Sequence, residues 1–129
     1  MTYGGIKWGG AQQPEWSSLF PAGRETTPEI LHIWLFRRDG TLAATLCERG
    51  HGRHVTLPLS IIARALVSTD AGYLFMAHNH PSGDARPSHA DIDATRQIWR
   101  LARTLGASLQ DHLVIGQRRA FSFRDSGLL

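Results

Sequence analysis

The chain has 129 residues, 42% of them hydrophobic, which suits one domain able to bury its own core. Its single cysteine, Cys47, excludes an internal disulfide and has its ordinary place as a small buried residue; with no run near the roughly 20 apolar residues of a membrane span, a cytoplasmic protein is expected. The net charge of +3 is carried almost wholly by scattered arginines, Lys7 being the only lysine, so nucleic acid is admitted as a partner but weakly supported.

Residues 1–28 contain Gly4-Gly5, Gly9-Gly10 and Pro21-Ala22-Gly23 with no sustained period. They read as an arm, mobile or loosely docked through Trp8, Trp16 and Phe20. The nearly continuous apolar run from Glu29 to Phe36 predicts a strand covered on both faces. Asp39-Gly40 marks a hairpin turn, and residues 41–46 return as a second strand. Residues 47–56, with His51 and His54, read as a polar loop leading to an edge segment.

Leu59, Ile62, Ala63 and Leu66 have helical spacing through about Ser68. After Gly72, residues 73–77 form a short buried strand that runs into His78. Ile92, Thr95, Ile98, Trp99, Ala102 and Leu105 define the core face of a helix over residues 88–105, stopped by Gly106. Arg96, Arg100 and Arg103 fall on its other side, as a solvated face rather than a phosphate stripe. Residues 109–115 predict another strand, 116–119 a turn and 120–123 a final strand.

The stretch His78-Asn79-His80-Pro81-Ser82-Gly83-Asp84-Ala85-Arg86-Pro87-Ser88-His89-Ala90-Asp91 organises the chain. Side chains two apart on an extended chain share a face, so His78 and His80 converge on one point at the carboxyl end of a central strand. Pro81, Gly83 and Pro87 turn the chain back. Ser88 is then placed as a helix N-cap, with Asp91 in the first turn aimed at the histidines. Two imidazoles and a carboxylate with a position left for water are the donor set of a catalytic zinc ion. Ser88-x-x-Asp91 is also an ordinary capping signal that needs no metal. Asn79 points away from its flanking histidines and is expected to support the loop. Asp84, Asp111 and His112 either orient the ligating imidazoles or satisfy turns and strand ends.

His-x-His, seven residues and Ser-x-x-Asp resemble the JAMM motif of the JAB/MPN metalloenzymes. The fuller run from Ala77 to Asp84, with Pro87-Ser88, Asp91, Asp111-His112-Leu113-Val114-Ile115-Gly116 and the ending Gly127-Leu128-Leu129, is similar to the RadC-like branch over residues 29–129. The resemblance implies an α/β domain with a mixed sheet flanked by helices, the cytidine-deaminase-like JAB/MPN fold. It implies zinc on His78, His80 and Asp91, and peptide or isopeptide bonds in a peptide or protein substrate as the target. It also implies a general base upstream, at the start of the first core strand. Glu29 matches that position, with Glu48 as its rival, and Ser88 takes the role of hydrogen-bond donor to the oxyanion.

The alternative is a nucleic-acid or protein-binding module with a structural or vestigial metal, in keeping with that branch's traditional label of DNA repair protein. An inactive scaffold and a metal-dependent nuclease stand further back. Deamination does not follow, since the Pro-Cys-x-x-Cys ligand motif is missing.

Overall fold

The computed structural model describes residues 28–50, 59–117 and 119–129, together with the backbone of residues 2–3 and 6–7. Strands β1 (Thr2–Tyr3) and β2 (Ile6–Lys7) pair antiparallel within the segment read as an arm. The rest of that arm up to residue 27, and His51 and His54, lie outside the described residues.

The apolar run after Glu29 forms β3 (Ile30–Phe36), and Asp39-Gly40 turns it into β4 (Leu42–Arg49). Asp39 fixes the turn by accepting hydrogen bonds from the Thr41 amide and hydroxyl. β4 continues to Arg49, three residues beyond the predicted end, because its polar residues pair onto β3: Cys47 lies opposite His32 and Glu48 opposite Leu31. A polar side chain on an edge strand can face water while its backbone completes the ladder. The same placement leaves Cys47 exposed, contrary to the buried place expected of it.

The pattern from Leu59 forms helix α1 (Leu59–Thr69), which leads to β5 (Tyr73–Asn79). Helix α2 (His89–Thr104) then crosses to β6 (Ser108–Ile115) and β7 (Ala120–Ser122). The sheet order β4-β3-β5-β6-β7 puts β5 in the middle, antiparallel to β3 and parallel to β6. A parallel pair needs a crossover, and α2 supplies it.

The main core cluster lies on one face of the sheet, and smaller clusters around Ile30, Ala77 and Leu113 and around Phe36 and Phe75 cover the other. Leu31, Ile33 and Leu35 of β3, Leu74 and Met76 of β5, and Leu109 of β6 pack with Ile62 and Leu66 of α1 and Ile98 and Ala102 of α2. Trp99 and Leu105, predicted on this face, are each 37% exposed. They flank the stripe defined by Thr95, Ile98 and Ala102. The Arg103 guanidinium covers the Trp99 ring, 4.7 Å from its centroid. Arg96, Arg100 and Arg103 are exposed, as expected of a solvated face. Among the described residues no helix is long and apolar enough to cross a membrane.

Candidate metal centre

The register of the central strand builds this site. Leu31 lies opposite His78 in the β3–β5 ladder, so residues of β3 with the parity of Leu31 share the face of His78. Glu29, two residues before Leu31, is on that face and is buried. His80 follows His78 by two residues just past the end of β5. Its amide donates to the Ile115 carbonyl at 2.9 Å, which ties it to β6.

The turn that follows brings the helix back. Gly83 adopts a positive φ of 83°, a conformation that side-chain-bearing residues rarely take. Ser88 caps α2 as predicted: its Oγ accepts from the Asp91 amide at 3.0 Å, while the Ser88 amide donates to Asp91 Oδ2 at 2.8 Å. The cap uses a lone pair of the hydroxyl, so its hydrogen stays available for donation. Capping and donation to a substrate are therefore compatible.

The capping box also aims Asp91. Its Oδ2 lies 3.0 Å from His80 Nε2 and its Oδ1 lies 3.3 Å from His78 Nε2. The two Nε2 atoms are 3.0 Å apart. Glu29 Oε1 stands slightly farther off, at 3.9 Å from His78 Nε2 and 3.8 Å from His80 Nε2. Glu48, the rival base, is paired to Leu31 on the far side of β3, two strand spacings or about 10 Å from His78 along the sheet.

Hydrogen-bond chemistry decides what the imidazoles offer. His80 Nδ1 is 2.8 Å from the Asp84 carbonyl, which can only accept, so this nitrogen carries the hydrogen. A neutral His80 then has a bare Nε2 facing His78. Bare nitrogen and carboxylate oxygen this close repel one another unless a positive charge lies among them. Protons supply it in part: the hydrogen bond with Asp91 raises the His80 pKa against the effect of burial. For Asp91, burial opposes ionisation, but the two imidazoles and the Ser88 amide outweigh it and hold the carboxyl well below the usual range.

A cation satisfies the same demand. Glu29, His78 and His80 can hold a metal ion, since one ligand atom from each lies within 4.8 Å of the others. Donor atoms around a tetrahedral ion with bonds of about 2 Å are about 3.3 Å apart. The separations of 3.0 and 3.3 Å from Asp91 to the imidazoles fit that spacing.

The structure divides the outer groups between the two roles offered for them. Asp84 orients His80 through its backbone carbonyl, while its carboxylate pairs with Arg86 at 2.6 Å and is held down to about 2 by that side chain. Asp111 accepts from Ser122 Oγ and from the amides of His112 and Arg124, and so ties the middle of β6 to the end of β7 and the turn after it. His112 does touch the cluster: its Nε2 is 2.7 Å from His78 Nδ1. Asn79 anchors β3 and not its own loop. Its Oδ1 accepts from the Ile30 amide at 2.7 Å and its Nδ2 donates to the Pro28 carbonyl at 3.2 Å, straddling Glu29. Thr95, read only as a core position, was missed; a hydroxyl in an otherwise apolar stripe was the available signal. A cleft of about 630 Å³ adjoins the loop, lined by Asp84, Arg86, Gln117, Arg119 and Phe121 among others.

A mixed sheet whose central strand delivers two histidines to a helix-borne aspartate defines an α/β domain with a candidate metal site. The chain belongs to the RadC-like JAB domain family, whose model matches residues 21–128. It is 45% identical over 104 residues to a UPF0758 protein of Rhodobacter capsulatus, covering 80% of this chain and 48% of that one. It is also 44% identical over 114 residues to a UPF0758 protein of Porphyromonas gingivalis, covering 87% and 50% respectively. The chain thus spans about half the length of these curated relatives.

Proposed function

We propose that this domain is a zinc-dependent hydrolase of peptide or isopeptide bonds, in which His78, His80 and Asp91 hold the ion and Glu29 is the general base. One observation carries the reading: two imidazole Nε2 atoms 3.0 Å apart face one point together with the carboxylates of Asp91 and Glu29. Asp91 approaches both nitrogens at 3.3 Å or less and completes the ligand triad, whereas Glu29, at 3.8 and 3.9 Å, stands one step back. Two nitrogens with carboxylate oxygen are a ligand set suited to zinc, and three protein ligands are the number that catalytic sites use.

When bound, zinc supplies Lewis acidity toward a substrate carbonyl and makes water a competent nucleophile near neutral pH. The chain's own groups do the rest. Glu29 takes a proton from the attacking water and delivers it to the leaving nitrogen as the C–N bond breaks. Burial of Glu29 keeps that proton from exchanging freely with bulk water. Ser88, whose cap leaves its hydroxyl hydrogen free, donates to the carbonyl oxygen as negative charge develops there. Asn79 holds the backbone on both sides of Glu29 and so fixes the distance over which the proton moves.

The test is elemental analysis after dialysis, beside hydrolysis of a panel of peptide and isopeptide substrates. Wild type and Glu29→Gln each retain about one zinc, His80→Ala loses it, and Glu29→Gln loses about 10²–10⁴-fold in turnover. A wild type that binds no zinc when supplied with it refutes the reading. So does a Glu29→Gln variant with undiminished turnover.

A further inference from the structure

Behind the metal cluster runs a chain of three polar side chains in a place where apolar residues are the rule. Thr95 is 1% exposed and His112 3%, both between α2 and the sheet. Thr95 Oγ1 lies 2.7 Å from the Asp91 carbonyl and 2.7 Å from His112 Nδ1. His112 Nε2 lies 2.7 Å from His78 Nδ1, and His78 Nε2 enters the cluster.

The direction of every hydrogen in this chain follows from its first member. The Asp91 carbonyl can only accept, so the single Thr95 hydroxyl hydrogen points to it. Thr95 Oγ1 must then accept from His112, which places a hydrogen on His112 Nδ1. His112 is buried and its two ring nitrogens meet only the Thr95 hydroxyl and the His78 imidazole, with no carboxylate to balance a charge, so the ring is neutral and its Nε2 is an acceptor. His78 Nδ1 must therefore donate, and the remaining nitrogen, Nε2, is bare. Phe123, stacked on His112 at 4.9 Å between centroids and 10° between planes, keeps the ring in the plane that joins its two partners.

We propose that Thr95 and His112 are positioning residues that dictate the tautomer of His78 and present its Nε2 as a permanent lone pair toward the metal. The role rests on the metal-site reading given above. It explains a threonine in the core stripe of α2: the hydroxyl spans a main-chain acceptor of the helix and an imidazole of the sheet, which an apolar residue cannot do. It also makes the two ligating histidines equivalent in kind, each fixed by a hydrogen bond from Nδ1, His80 to a carbonyl and His78 to a neutral imidazole.

Two readouts test the role in wild type, Thr95→Val and Thr95→Ser. Nitrogen NMR of histidine-labelled, metal-free protein reports which ring nitrogens carry hydrogen. Competition with a chromophoric chelator reports zinc affinity. Wild type and Thr95→Ser are expected to show hydrogen on Nδ1 of His78 and His112. Thr95→Val, which keeps the shape and removes the hydroxyl, is expected to show mixed tautomers and to bind zinc about 10–100-fold more weakly. His112→Gln, whose amide oxygen can still accept from His78, is expected to retain more affinity than His112→Leu. Thr95→Val with wild-type tautomers and wild-type affinity overturns the relay and leaves the metal site standing. Failure of wild type to bind zinc overturns the metal reading and the relay's purpose with it, and loss of affinity in Thr95→Val that Thr95→Ser does not restore assigns Thr95 to packing alone.

Discussion

Asn79→Ala isolates the device that seats Glu29. The Asn79 side chain is buried, and its Oδ1 is the acceptor for the buried Ile30 amide, so truncation leaves that N–H unpaired. An orphaned buried donor costs about 1–3 kcal/mol, and the lost bond to the Pro28 carbonyl adds about 1 kcal/mol. The sum, about 2–4 kcal/mol, lowers Tm by about 6–15 °C for a domain of this size. None of the three proposed ligands touches Asn79 through its side chain, so zinc content is unchanged. Turnover falls about 100-fold, the effect of displacing a reacting group by about 1 Å. Asn79→Asp sharpens the test, because it keeps the acceptor for Ile30 but sets a carboxylate oxygen against the Pro28 carbonyl. Thermal melts, zinc analysis and hydrolysis rates on the three proteins are the assay. An Asn79→Ala protein with wild-type Tm and wild-type turnover would refute the reasoning; loss of zinc together with activity would place Asn79 in the ligand scaffold instead.

Two further predictions concern pH and the loop. Burial lowers the folded His112 pKa, so below about 6.5 the unfolded chain binds a proton that the folded one refuses; stability then falls by up to about 1.4 kcal/mol per pH unit as pH drops. His80, raised by its bond to Asp91, acts in the opposite sense: its contribution is full below about 6.5 and lost as pH rises through its folded value. Urea melts of metal-free protein between about pH 5 and 8 should therefore peak near pH 6.5, with His112→Gln flattening the acid limb alone. Gly116→Ala is predicted to destabilise, because its Cβ would come within 2.5 Å of the Gly83 carbonyl and 2.9 Å of the Ala85 amide, both backbone atoms of the metal-site loop. A cost of about 1–3 kcal/mol in denaturant melts, with weakened zinc binding, is the expected outcome; an unchanged midpoint counts against it.

The sequence made the loop legible because its geometry is local. Two histidines at spacing two, a Pro/Gly turn and a Ser-x-x-Asp cap need no knowledge of the rest of the chain, and all lie where that spacing puts them. Glu29 was another matter. Its approach to His78 depends on the pairing of β3 with β5, which no turn signal specifies, and on Asn79, whose partners are 49 and 51 residues away. The register of that pair also separates Glu29 from Glu48, two glutamates that composition alone does not rank. Trp99 and Leu105 were misplaced because hydrophobic periodicity gives the direction of a face but not its width, and Cys47 because an edge strand exposes residues that a central one would bury.

The crossover from β5 through α2 to β6 has a consequence for how such domains change over generations. His78, His80, Asp91, Thr95 and His112 all belong to that one continuous unit, whereas Glu29 comes from just before β3, much earlier in the chain. If the proposed function holds, a single substitution at Glu29 removes the proton carrier and leaves the cradle intact, turning a catalyst into a binding domain without refolding anything.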